Sequence, residues 1–197
     1  MIFRTKSAEP VFLHSHGGKL IPKLDHRDLA LQSLLDYGQQ LARTLSGLKH
    51  EEALWMPNSG SNHILWILWH MGRMEDMWGW YMRGGDSSAW IEGGWAKRLG
   101  IEPERTGAGD TIEQVHDFPR ISVDEVTAYW QAARNLLIPT VREISADSLE
   151  DKHPEIWTHA PERAPTLLWV LARIPVENSQ HTGQIAYIRG MYASKFP

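Results

Sequence analysis

The 197-residue chain contains no cysteine, which excludes disulfide bonds, thiolate metal sites and cysteine nucleophiles. It has no basic tract, and its 20 Lys and Arg stand against 24 Asp and Glu, so we expect no nucleic-acid partner. No apolar run approaches the roughly 18 residues of a membrane span, and none follows the first positive charges as in a signal peptide. We therefore expect a cytoplasmic protein that has no membrane partner.

The sequence is rich in tryptophan and histidine instead, with ten of each. Tryptophan is bulky and carries an N–H that needs a partner when it is buried. Ten indoles indicate a core, and the wall of a pocket, built from these rings. The length suits one domain with a substantial core. We expect residues 1–197 to form that domain, with an irregular arm over residues 1–23.

Apolar residues recur at helical spacing in four segments, and the alternation typical of strands is nearly absent. The pattern predicts an all-α protein, an antiparallel four-helix bundle with a long crossover connection between helices 2 and 3. Asp25 and the Ser122–Glu125 capping box mark two helix starts. Pro139 and Pro175 predict a kink or a break in helices 3 and 4. The four predicted helices run from Leu24 to about Leu48, from Ser61 or Asn62 to about Arg83, over residues 122–145 and over residues 166–196.

Glu177 and His181 lie four residues apart in the fourth helix. That spacing gives about 6 Å of rise and about 40° of rotation, so both side chains leave the same face. A carboxylate and an imidazole placed in this way bind a divalent cation if another helix supplies a third ligand. The alternatives are an ordinary surface pair and a salt bridge from Arg173, which is four residues before Glu177.

The second helix supplies a candidate third ligand, His70, on a stripe that also carries Trp66 and Met74. The alternative for His70 is a core histidine satisfied by one hydrogen bond. Glu75 and Asp76 follow one turn later, either as carboxylates that support the site or, as we expect, as solvated charges on the helix flank. Candidate pocket residues are Trp66, Arg73, Met74, Glu75 and Trp130.

Two segments together resemble the DinB/YfiT-like superfamily of four-helix bundles, which includes metal-dependent thiol transferases and isomerases. NHILWILWHMGRMEDMW is similar to that family's second helix, and ENSQHTGQIAYIRGMY is similar to its last helix. The resemblance implies metal ligation by His70, Glu177 and His181. The family usually has histidine at the position of Glu177, and the resulting His/Glu/His set resembles that of its mycothiol-dependent maleylpyruvate isomerases. Gln184 would then act in catalysis, by orienting a metal-bound water or a substrate carboxyl, or else would form a hydrogen bond between helices.

The resemblance implies a divalent metal cofactor, Zn²⁺ or Ni²⁺ before Fe²⁺, and a low-molecular-weight thiol such as mycothiol or bacillithiol. The expected function is a transferase or isomerase in which the metal activates that thiol against a small-molecule electrophile. A metal-dependent hydrolase is one alternative. Another is a metal-binding or stress-associated bundle without catalytic activity. We also expect a homodimer, because bundles with helices this rich in tryptophan often leave an apolar face exposed.

Overall fold

The computed structural model describes residues 23–197, so the arm predicted over residues 1–23 lies outside the described residues except for Lys23. Within this range the chain forms eight α-helices and one 3₁₀ turn, and no strand. The predicted all-α class is confirmed. The helices are α1 (His26–Leu45), α2 (His50–Leu54), α3 (Ile64–Met82), α4 (Ala89–Glu92), α5 (Trp95–Leu99), α6 (Ile112–His116), α7 (Val123–Glu143) and α8 (Leu167–Lys195), and the 3₁₀ turn is Pro161–Arg163.

The four long helices α1, α3, α7 and α8 form the bundle, and each begins at a side chain that accepts a backbone N–H. Asp25 and Ser122 form the capping boxes of α1 and α7. The predicted cap of α3, Ser61 or Asn62, is wrong. His63 takes that position, and its Nδ1 accepts from the backbone N–H of Trp66. Burial lowers the pKa of His63 to about 4, so this imidazole stays neutral and keeps the lone pair that caps the helix.

Neither internal proline breaks its helix. α7 continues through Pro139, and α8 continues through Pro175 for 29 residues. A proline removes one backbone hydrogen bond and crowds the preceding turn, but packing of the flanking apolar residues against the bundle can outweigh this cost. Glu177 and His181 therefore share one uninterrupted helix, as their spacing requires.

α3 is the central helix, and it packs against both α7 and α8. Nearly all of its residues are buried, the polar His70, Arg73, Glu75 and Asp76 among them. The expectation that Glu75 and Asp76 are solvated is wrong: their exposed fractions are 0% and 1%. Burying a carboxylate without partners is costly, so both must find hydrogen bonds inside the bundle.

The predicted crossover joins α3 to α7 and contains three short helices. These are α4, α5 and α6. Asp76 fixes the start of α4, because its carboxylate accepts from the backbone N–H groups of Ala89 and Trp90 and from the Ser88 hydroxyl. Among residues 23–197, no helix has the length and apolar character needed to cross a membrane.

Candidate metal centre

His70, Glu177 and His181 come together where α3 packs against α8. One ligand atom from each residue lies within 4.8 Å of those from the other two. His70 Nε2 is 3.7 Å from Glu177 Oε1, and the two imidazole rings meet edge to face with centroids 5.1 Å apart. The structure thus brings together the three predicted ligands, from two helices distant in sequence.

The crossover orients the imidazole of His70. Nδ1 lies 2.7 Å from the carbonyl oxygen of Thr106, and because a carbonyl only accepts, Nδ1 carries the proton. Nε2 then keeps its lone pair toward Glu177 and His181. Trp66 stacks on the ring at 5.1 Å and donates its indole N–H to Asp110, 2.9 Å away. A hydrogen bond that fixes the tautomer of a histidine is a common support for metal ligation.

Gly107 permits this contact, because any side chain in its place would crowd His70 and Trp69. Its φ is +87°, and a Cβ at this position would lie 2.8 Å from His70 Nδ1 and 3.0 Å from the ring of Trp69. Both the left-handed backbone and the close approach favour glycine. The Thr106–Gly107 peptide can therefore lie directly against the histidine.

His181 is oriented from within its own helix. Its Nδ1 lies 2.9 Å from Gln184 Oε1, three residues later, which leaves Nε2 for the site. Burial lowers the pKa of His181 below its ordinary value, so the ring is neutral over a wider pH range. Gln184 thus contacts the predicted ligand His181, which lies on the same helix. The hydrogen bond between helices that the sequence offered as an alternative for Gln184 is therefore not the one observed here. Its role toward water or a substrate carboxyl stays a prediction.

Glu177 divides its carboxylate between two neighbours. Oε1 faces His70, whereas Oε2 forms an ion pair with Arg173 Nε at 3.0 Å. Burial raises the pKa of Glu177, but the adjacent His70 and the charge of Arg173 together lower it by a larger amount. The pKa of Glu177 therefore lies below its ordinary value. The salt bridge that the sequence offered as an alternative to a metal site therefore leaves one oxygen of the ionised carboxylate turned to the site.

The donor set fits a divalent metal ion. Two imidazoles and one carboxylate are ligands that Zn²⁺, Ni²⁺ and Fe²⁺ accept in proteins. Tetrahedral Zn²⁺ with bonds of about 2.0–2.1 Å would separate its ligand atoms by about 3.4 Å. The 3.7 Å between His70 Nε2 and Glu177 Oε1 is near this value. Three protein ligands would leave a fourth position open, as in catalytic sites.

The predicted pocket residues divide into three groups. Trp66 stacks on His70, and Met74 is buried one turn further along α3. Arg73 instead contacts the crossover, where its Nε donates to the carbonyl of Arg105 at 3.0 Å and its guanidinium covers the ring of Trp90. Glu75 and Trp130 lie in the core of the bundle and bind each other, with the indole N–H donating to Glu75 at 2.8 Å.

Glu75 connects all four long helices. Its Oε1 accepts from Tyr37 of α1, Trp130 and Arg134 of α7, and Asn178 of α8. Burial raises the pKa of Glu75 to about 7, although the Arg134 charge opposes the shift. Asn178 follows Glu177 directly in the sequence, so this cluster fixes the rotation of α8 beside the candidate ligands.

Sequence reasoning missed the residues that orient the ligands. Thr106 and Gly107 lie 36 or more residues from His70 along the chain, in a segment without helical period, so only the folded chain shows their contact. The position of Asn178 directly after Glu177 was the one feature of the sequence that pointed to it. Nothing in the sequence indicated that its side chain has a partner across the bundle.

A cleft of about 380 Å³ adjoins Gln184, between the second half of α8 and the loop before α3. Its wall combines apolar side chains with amide groups and no charged side chain. The lining residues are Pro57, Asn58, Ser61, Asn62, Ile67, Gln184, Tyr187, Ile188 and Met191.

Comparisons with known proteins identify a family and a similar fold. A family model described as the DinB superfamily matches residues 35–185. The chain is also similar to a crystal structure described as the conserved protein of locus from Enterococcus faecalis, with a TM-score of 0.73 over 87% of this chain and 99% of that one. The identity of 19% makes this a likeness of fold alone. No curated protein matches the chain.

Proposed function

The chain belongs to the DinB superfamily, and from this membership and its candidate metal centre we propose that it is a metal-dependent transferase or isomerase. In this proposal His70, Glu177 and His181 hold one divalent ion, Zn²⁺ or Ni²⁺ before Fe²⁺. A small-molecule thiol serves as the nucleophile toward a small electrophile. The observation that carries the proposal is the convergence of three ligand atoms within 4.8 Å, from two helices, at one place in the bundle.

The absence of cysteine supports an external nucleophile, because the protein has no thiol of its own. When bound, the metal ion supplies a positive charge that lowers the pKa of a thiol at its open position. The chain prepares the site for that charge. Thr106 and Gln184 hold the Nδ1 protons of the two histidines, so Nε2 of both rings keeps a lone pair for the metal. The contact with His70 and then the charge of Arg173 lower the pKa of Glu177, so its carboxylate is ionised.

Metal content is the first test. We expect about one metal ion per chain in the wild type, by elemental analysis of untagged protein after reloading with Zn²⁺ or Ni²⁺. His70→Ala and Glu177→Ala each remove one of three ligands and should reduce the content severalfold or more. His50→Ala, at the exposed start of α2, is the matched control and should keep it. A wild type that takes up no metal after reloading would refute the proposal.

Turnover is tested on the loaded protein with several thiols and a chromogenic chloronitrobenzene as the electrophile. In this assay a sulfur–carbon bond forms and chloride leaves. Thiol-dependent turnover that disappears in Glu177→Ala supports the transferase. A loaded protein that turns over none of the thiols would support a binding protein without catalytic activity instead.

A further inference from the structure

Arg173 has most of its hydrogen-bonding capacity unused beside the candidate metal centre. Only its Nε is engaged, in the ion pair with Glu177 Oε2 at 3.0 Å. Among residues 23–197, no side chain or carbonyl accepts a hydrogen bond from its two terminal nitrogens, and 39% of the side chain is exposed. A guanidinium carries five N–H donors in a rigid fork. The unused donors of Arg173 thus remain next to the carboxylate that faces His70.

Arg134 and Arg105, near the bundle interior, each engage two guanidinium nitrogens, at least one of them terminal. Arg134 donates to Tyr37, Glu75 and the carbonyl of Leu34, and Arg105 donates to Asp110 and to the carbonyl of Gln114. These contacts make both of them structural. Arg173 differs because its single contact is made through Nε, to Glu177. Its two terminal nitrogens, which form the outer edge of the guanidinium, therefore remain free.

An apolar surface adjoins this cation on α8. Trp169 lies one turn before Arg173 and Val176 lies three residues after it, so helical spacing places them on neighbouring parts of one face. Their exposed fractions are 48% and 52%. Trp169 is held in place by an edge-to-face contact with Trp78, whose ring centroid is 5.5 Å away. A fixed, half-exposed indole beside an arginine suits an apolar group that bears a negative charge.

We propose that Arg173 binds a carboxylate of the substrate, and that the electrophile is therefore an apolar carboxylic acid lying along Trp169 toward the metal centre. This inference rests on the proposed function, since it places the substrate beside the metal. A carboxylate presents two oxygens at the spacing of the guanidinium fork. Because Arg173 is a single cation whose Nε is already paired with Glu177, it suits a singly charged carboxylate better than a more highly charged anion such as phosphate.

The test is the binding of benzoate to the zinc-loaded protein, measured by calorimetry after the zinc affinity itself has been determined. Wild type should bind benzoate and should not bind the neutral benzyl alcohol measurably. Arg173→Gln keeps a polar side chain but removes the charge and the fork, so benzoate affinity at saturating zinc should fall at least tenfold, and by a larger factor than zinc affinity does. Arg173→Lys keeps the charge without the fork and should give an intermediate loss.

Arg163→Gln is the matched control, since Arg163 is also paired with a glutamate but is 82% exposed and lies outside the site. It should bind benzoate as the wild type does. Equal benzoate affinity in wild type and Arg173→Gln, or none in wild type, would overturn the proposal. Loss of zinc from Arg173→Gln would also overturn it, by making Arg173 a positioning residue for Glu177. Tighter binding of inorganic phosphate than of benzoate would overturn the carboxylate assignment. Failure of the wild type to bind zinc would refute the proposed function itself.

Discussion

At the scale of single residues, the geometry of the candidate metal centre depends on the residues that orient His70, Glu177 and His181 as well as on these three residues themselves. The carbonyl of Thr106 fixes the tautomer of His70, and it can do so because Gly107 lacks a Cβ. Partners of this kind commonly change metal affinity by about 10- to 100-fold when they are removed. Gly107 should therefore matter for metal binding although it contributes no ligand atom.

We predict that Gly107→Ala lowers zinc affinity by about tenfold, because the new Cβ would displace the Thr106 carbonyl from His70. It should also reduce the free energy of unfolding by about 1–3 kcal/mol through crowding, in addition to the cost of a left-handed alanine. Calorimetry and thermal unfolding measure the two effects.

Gly109→Ala provides the control for this substitution. Gly109 has a similar φ of +82°, and nothing lies within 4 Å of its Cβ position. Gly109→Ala should lose only the free energy of unfolding that a left-handed alanine costs, and its zinc affinity should equal that of the wild type. Equal zinc affinities in the two variants would contradict the role given to Gly107.

The candidate ligands were predictable at this scale, whereas the residues that orient them were not. Helical spacing placed Glu177 and His181 on one face, and family resemblance added His70. The contact of Gly107 with His70 depends on how an irregular crossover folds back over α3, which no local pattern determines.

At the scale of helices, the bundle was predictable because apolar periodicity, capping boxes and turn residues agree along the sequence. The failures have physical reasons. Glu75 and Asp76 looked solvated because charged side chains are usually exposed, but α3 is buried on all sides, and the elements packed around it supply hydrogen-bond partners to both. Pro175 suggested a break, but packing keeps α8 continuous.

Glu75 should make the stability of the bundle depend on pH. Burial raises its pKa from 4.5 to about 7, so the folded chain holds this proton more tightly than the unfolded chain. The resulting stabilisation is complete below about pH 4.5 and is lost as the pH rises through 7. We predict that between pH 5 and 8 the wild type loses about 2–3 kcal/mol relative to Glu75→Gln.

Urea unfolding across this pH range measures the difference. Glu75→Gln cannot ionise, so its stability should lack this component of the pH dependence. Glu143→Gln, at the exposed end of α7, should follow the wild type. A stability difference between wild type and Glu75→Gln that stays constant from pH 5 to 8 would show that the proton is not held by Glu75.

At the scale of the whole molecule, the second half of α8 exposes apolar side chains beyond the candidate site. Tyr187 is 71% exposed and Met191 is 36% exposed, and both line a surface cavity with Trp55 and Pro57. Exposed apolar surface of this kind often belongs to an interface. The homodimer expected from the sequence therefore stays a proposal, and this face is where we place it.

We predict a light-scattering mass of twice the 22.5 kDa of one chain. Tyr187→Glu should shift the mass to that of a single chain, because a buried unpaired charge weakens an apolar interface. Leu29→Glu, on the exposed side of α1, should leave the dimer intact. A wild type that is monomeric at all concentrations measured would contradict this proposal.

The division of the ligands between α3 and α8 has a consequence for biosynthesis. A ribosome makes His70 early, and it makes α7 and the whole crossover before it reaches Glu177 and His181. A nascent chain that already contains α1, α3 and α7 therefore presents one imidazole where the mature protein presents three ligands. Metal capture by these three candidate ligands would have to wait for α8 to be translated and to dock against α3, so loading would be a late step in maturation, and any chain that stops before Glu177 lacks the site.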